Sequence, residues 1–136
     1  MERIRRSLSK LPLWTFTIIT VIAIFWLTMS PKPLGEKPPP FFPGADKIAH
    51  AIMFGGFTFV MLLDWQRSHH WKPVRWAKAL ICAIISSLLG ILIEFAQANM
   101  HLGRSFEFDD MIADAIGAFL FGIGYLYYQK IWLPKG

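Results

Sequence analysis

The sequence predicts an all-α, polytopic membrane protein: a bundle of four transmembrane helices with both termini cytoplasmic. Three observations carry that expectation. Hydrophobic residues make up 54% of the chain and charged ones 17%, against roughly 45–50% and about 25% in soluble domains. The charges and the nine prolines collect in a few short segments, so the stretches between them are much more apolar than the mean hydropathy of +0.42 suggests. Lys and Arg also alternate by side: ten of the fourteen fall in the N-terminal segment, the loop after the second span and the C-terminal segment. That is the positive-inside pattern. At 136 residues the expectation is one domain, residues 1–136.

The net charge of +5 is thereby absorbed by topology. No nucleic-acid-binding motif accompanies it, and no nucleic-acid partner is expected. Cys82 is the sole cysteine, which excludes an intramolecular disulfide and a cysteine-built metal site. It reads as a small buried apolar residue.

Arg3, Arg5, Arg6 and Lys10 precede an apolar run over residues 11–29. The run is long enough to span and lacks a small-x-small cleavage signal, so it reads as a retained helix anchored by Trp14 and Trp26. Residues 31–45 hold six prolines and predict an extended connection. Asp46 then reads as the N-cap of a second span over 47–64, in which Gly55 and Gly56 permit close helix approach. A basic loop follows with Arg67, His69, His70, Lys72, Arg75 and Lys78. The adjacent histidines point to different sides, which argues against a metal pair, and Pro73 is placed to open the next helix. The third span, 77–97, carries Ala79, Ala83, Ser86, Ser87 and Gly90 as a small-residue face leading to Glu94 and Gln97. The fourth, 110–128, begins at Asp110 and continues a small-residue stripe through Gly117 or Gly122.

Four spans with cytoplasmic termini place three polar pairs at one outward-facing depth. Asp46 and His50 are four residues apart, as are Asp110 and Asp114, while Glu94 and Gln97 are three apart; each pair shares a helical face. Lys47 and Arg104 lie beside them. Seven of the nine acidic residues fall on this side, although acids contribute little to insertion topology. Ionisable groups at a membrane boundary are expensive, and their default reading is a functional site. The candidate binding residues are therefore Asp46, Lys47, His50, Glu94, Gln97, Arg104, Asp110 and Asp114. Three chemistries stay open: a cation held by carboxylates and imidazole, a desolvated carboxyl acting as base, and a buried network that only fixes helix register. No metal-ligand motif, phosphate loop or Ser-His-Asp order is present, and neither a cofactor nor a catalytic residue is assigned. Polar residues at one end leave no ionisable path across the bilayer, which argues against a transporter or channel.

The order Asp46-Lys47-x-x-His50, Glu94-x-x-Gln97, Arg104 and Asp110-x-x-x-Asp114-x-x-Gly117 resembles the VanZ-like family of small bacterial membrane proteins. The resemblance covers residues 46–124. It implies a multi-pass protein of the bacterial inner membrane, and an envelope setting such as resistance to teicoplanin-type glycopeptides. Many members carry Asn where Asp114 stands, so it implies hydrogen bonding there in place of an obligatory carboxylate. The expected partners are membrane lipids, with a lipid-linked cell-wall precursor or lipoglycopeptide at the polar site. A small hydrolase or transferase acting on a lipid-linked substrate, metal-assisted or not, is the alternative, and a structural or assembly subunit the second. The small-residue stripes permit a homo-oligomer without requiring one.

Overall fold

The computed structural model describes residues 2–30, 42–100 and 106–133. Arg104 and most of the proline-rich connection lie outside them. The described residues form five helices and no strand: α1 (Glu2–Ser9), α2 (Thr15–Met29), α3 (Ala45–Ser68), α4 (Trp76–Asn99) and α5 (Phe108–Trp132).

Helices α3, α4 and α5 are each long and apolar enough to cross a membrane. Only 33–39% of each span is buried within the bundle, so most of each helix presents its surface outward. Ile81, Ile84, Ile85, Leu88 and Leu92 of α4 and Ile112, Ile116, Leu120 and Ile123 of α5 are exposed. A helix apolar on its outer face suits lipid as solvent. The protein is a membrane protein. α2 is apolar but has only 15 residues, about 22 Å of helix at 1.5 Å per residue.

The N-terminal run does not form one helix from residue 11. The chain turns at Pro12, and Trp14 stands in the left-handed region at φ 61°, so α2 starts at Thr15. The preceding basic segment forms the separate, roughly two-turn helix α1, none of it buried.

α3 and α5 form the most extensive helix pair, followed by α4 and α5. Small residues explain both. A side chain at Gly117 would strike the backbone of Ala51, and one at Gly55 would strike the Phe121 ring and the Gly117 carbonyl. Gly56, by contrast, faces open space. Ala79, Ala83, Ser86 and Gly90 are the buried face of α4. Ile24, Phe54, Phe57, Leu62, Cys82, Ile93 and Tyr125 fill the core, and Cys82 is buried and free as expected.

Two helix starts differ from the sequence reading. Gly44, at φ 85°, is the N-cap of α3, with no side-chain cap hydrogen bond. Asp46 is the second residue of the helix, in its first turn, and binds Lys47 Nζ at 2.9 Å, because a lysine within reach offers a charged donor. α4 begins at Trp76, three residues after Pro73, because Gln129 of α5 captures Val74. Val74 N–H donates to Gln129 Oε1 at 2.7 Å and Gln129 Nε2 donates to Val74 O at 2.9 Å. Fixed at both backbone groups, residue 74 cannot turn helical.

Candidate functional site

The helix order puts the start of α3, the end of α4 and the start of α5 at one end of the bundle. Five carboxylates gather there: Asp46, Glu94, Glu107, Asp110 and Asp114. Lys47 Nζ lies 2.9 Å from Asp46 Oδ2, 2.6 Å from Glu107 Oε2 and 2.6 Å from Asp110 Oδ1. One ammonium thus serves three acids on two helices. One turn deeper, His50 Nδ1 lies 2.9 Å from Asp114 Oδ1 and Nε2 lies 3.5 Å from Asp110 Oδ2. Carboxylates only accept, so a neutral imidazole serves one of them with an N–H and the imidazolium serves both. The ring packs against Phe54, centroids 6.3 Å apart.

Glu94 comes in from α4, is 2% exposed, and accepts a hydrogen bond from Glu107 N–H at 3.2 Å. Asp114 is 1% exposed, and its Oδ2 has no hydrogen-bond partner among the described residues. That oxygen occupies the gap left by the missing side chain of Gly90, where a Cβ would stand 2.5 Å away. The glycine of the α4 small-residue face therefore admits a carboxylate between two helices. A buried carboxylate oxygen without a donor costs free energy.

The residues singled out from the sequence do not all converge. Asp46, Lys47, His50, Glu94, Asp110 and Asp114 do. Gln97 is buried, but its Nε2 donates to Thr28 O at 2.8 Å, joining α4 to the end of α2. Arg104 lies outside the described residues. Asp109 is exposed at the start of α5. Glu107 was not foreseen, although it ion-pairs with Lys47 and its backbone positions Glu94. It stands just before a helix, where no periodicity marks it; an acid at an N-terminal turn is the signal that could have found it.

Two groupings could hold a cation. Donor atoms of His50, Glu94 and Asp110 lie within 4.8 Å of one another, as do those of Asp46, Glu107 and Asp110. The first is buried and mixes imidazole with carboxylates, a set that suits Zn²⁺ or Mn²⁺. The second is more exposed and already engages Lys47.

The opposite end carries polar groups of another kind. Asp64 and Arg67 form a buried ion pair through Oδ1 and Nη1. Asp64 Oδ2 also accepts from Thr17 N–H at 2.8 Å and Thr17 Oγ1 at 2.9 Å. Arg67 donates to the carbonyls of Leu8, Leu11 and Pro12. Gln66 Oε1 accepts from Tyr125 Oη at 2.7 Å, and its Nε2 donates to Gln129 Oε1 and Lys72 O at 3.2 Å each. Nothing in the sequence pattern had marked this network as more than residues at the ends of spans. Its i, i+3 acid–base pair was the available clue.

A family model described as VanZ/LLP1 matches residues 2–132 of the 136-residue chain. No curated protein matches the chain, and no solved structure does. The match takes in all five helices, including both the carboxylate-rich end and the buried network opposite it, and by that match the chain belongs to the VanZ-like family.

Proposed function

We propose that this is an envelope protein of the bacterial inner membrane whose carboxylate-rich end binds the polar part of a lipid-anchored ligand. The ligand class is a lipid-linked cell-wall precursor, a lipid headgroup or a lipoglycopeptide of the teicoplanin type. One observation carries the reading: four carboxylates pair with one lysine and one histidine, Glu94 lies beside them, and an oxygen of Asp114, the most buried of the five, has no donor among the described residues. A site with that excess of buried acceptors calls for donors, best met by an ammonium or a multiply hydroxylated group. Lys47 already serves three carboxylates, so recognition of a phosphate would fall to Arg104, whose guanidinium suits that geometry.

In this reading α2 is a fourth span, both termini are cytoplasmic and the carboxylate-rich end faces outward, as the distribution of Lys and Arg supports. The chain then acts as a single membrane domain. Cysteine labelling from outside in intact cells, at position 46 against position 72, tests the orientation; labelling of position 72 alone would reverse it. For the site itself, Asp110→Asn and Arg104→Ala variants expressed at normal levels should lose teicoplanin tolerance in a host that gains it from the wild type, and should lose retention of lipid-linked precursor. Unchanged susceptibility and unchanged retention in both variants would sink the proposal.

A second reading is favoured by the 4.8 Å grouping of His50, Glu94 and Asp110. These residues would hold a divalent cation that polarises a phosphoryl oxygen of a lipid-linked substrate, making the protein a metal-assisted hydrolase or transferase. Purified protein should then retain about one Zn²⁺ or Mn²⁺ per chain, lost on Glu94→Gln. Absence of bound metal together with no turnover of lipid phosphates would exclude it. A purely structural role for the cluster would instead make Glu94→Gln lower thermal stability with binding intact.

A further inference from the structure

At the end opposite the carboxylates, a groove of about 570 Å³ opens between the start of α4 and the end of α5. Its size falls in the roughly 300–1,000 Å³ range of small-ligand sites. Arg75 and Lys130 line it together with Trp76, Tyr127, Val74 and Gln129, and no carboxylate does. Arg75 and Lys130 are exposed and form no ion pair among the described residues. The nearest buried acid on this end, Asp64, is taken up by Arg67 and Thr17.

The floor of the groove is tied by hydrogen bonds. Gln129 holds the peptide groups of Val74 from both sides and also donates to Leu126 O at 3.3 Å. This fixes the approach of Arg75, the next residue, to α5. Lys130 Nζ lies 5.2 Å from the Tyr127 ring centroid, so its ammonium is held beside the groove by cation–π attraction. Trp76 and Tyr127 are 63% and 62% exposed, amphipathic rings placed where membrane spans begin and end.

Below the groove the surface turns apolar. Leu80 lies four residues into α4 from Trp76, and Ile123 four residues back along α5 from Tyr127, so each is one turn deeper on the same helical face. Both are exposed, at 51% and 41%. A pair of cations at the interface above exposed apolar helix faces matches a phosphate carried on acyl chains better than a free phosphate. We infer that this groove is a binding site for the headgroup of an anionic phospholipid, with the phosphate between Arg75 and Lys130 and an acyl chain along Leu80 and Ile123. Basic pockets between membrane helices recognise such headgroups through charge complementarity.

The test uses the full chain in mild detergent, with lipid retention read by native mass spectrometry. The wild type should retain phosphatidylglycerol in preference to phosphatidylcholine. The double variant Arg75→Gln/Lys130→Gln should lose that preference by roughly 30-fold, about fivefold per charge. Lys72→Gln, a basic residue of the same loop outside the groove, should leave it nearly unchanged. Thermal unfolding adds a second readout: phosphatidylglycerol should raise the midpoint of the wild type, and inorganic phosphate at the same concentration should not. Equal retention of both lipids by the wild type would overturn the inference. So would a preference that survives in the double variant, an equal loss in Lys72→Gln, or stabilisation by inorganic phosphate alone.

Discussion

The two ends of the bundle bury comparable numbers of polar side chains and use them in opposite ways. At the basic end, Asp64, Arg67, Gln66 and Gln129 meet partners from a different segment of chain: α1, the α1–α2 turn, Thr17, Lys72, Val74 and Tyr125. Their side-chain oxygens and amide groups find complementary partners, and the network ties four segments together. At the acidic end, among the described residues, acceptors outnumber donors, one ammonium is divided among three carboxylates, and Asp114 Oδ2 is left over. A network whose groups are matched stabilises and specifies a fold; one with a buried surplus of a single kind costs stability and is retained for something it does. The comparison predicts that polar deletions at the basic end destroy the fold, while those at the acidic end leave it standing.

The largest effect belongs to Arg67→Met. Removing the guanidinium leaves the buried Asp64 carboxylate without its counter-charge and takes a charged donor from the carbonyls of Leu8, Leu11 and Pro12. The expected loss is about 3–5 kcal/mol, the usual cost of breaking one side of a buried pair, read as a collapse of the thermal unfolding midpoint in detergent or of expression. An unchanged midpoint would mean that the pair is solvated in the membrane and that the two ends do not differ as described.

Next is Gln129→Leu, which keeps the side-chain volume and removes the amide. Val74 N–H and C=O both lose their side-chain partner, and Gln66 loses one acceptor. About 1–3 kcal/mol should be lost for each group left buried and unpaired. Protection of the Val74 amide from hydrogen exchange should fall with the midpoint. Loss of stability with Val74 still protected would show that another group holds the loop.

How much of this was legible in the sequence depends on whether a feature is local. α3, α4 and α5 are continuous apolar runs, and their ends were readable to within a few residues. The pairs Asp46–His50 and Asp110–Asp114 were readable because helical spacing puts them on one face before any tertiary contact is known. Gln97 was not, because its spacing from Glu94 fits the polar pair while its amide turns to Thr28 of α2, a contact set by packing. The basic-end network was missed for the same reason. Asp64, Gln66 and Gln129 stand where span ends ordinarily carry polar residues, and only the approach of α2 and α5 distinguishes a buried hub from an interfacial fringe. The α3 terminus shows the limit at its finest: Trp71 N–H returns to Gln66 O at 2.8 Å with His70 and Trp71 in left-handed conformations, a cap of the Schellman type formed without the usual glycine.

At the acidic end, Gly90→Ala should act through Asp114. The added methyl would contact the carboxylate at Oδ2 and Cβ, so the side chain must rotate away from His50 or α4 must separate from α5. Overpacking of this kind costs about 1–3 kcal/mol. Because the two residues share one space, the double variant Gly90→Ala/Asp114→Ser should be less destabilised than the sum of the single changes. Additive losses would place the strain elsewhere on the small-residue face of α4.

The smallest effect, and the sharpest test of the contrast, is Asp114→Asn. The amide keeps an oxygen toward His50 Nδ1, so the 2.9 Å hydrogen bond survives in one tautomer. The NH₂ takes the place of Oδ2, exchanging a buried acceptor without a partner among the described residues for a donor in the same position. The change also removes a negative charge from beside Asp110, which relieves repulsion between two acids held on the same helical face. These contributions oppose one another, and the net shift in stability should stay within about 1 kcal/mol. Asp64→Asn, the same chemical change at the other end, removes the charge that Arg67 requires and should cost several times more. If the two substitutions destabilise equally, the acidic end is a structural network like its counterpart and the functional reading of its carboxylates fails. If Asp114→Asn is neutral for folding yet lowers ligand retention, the surplus carboxylate acts in binding.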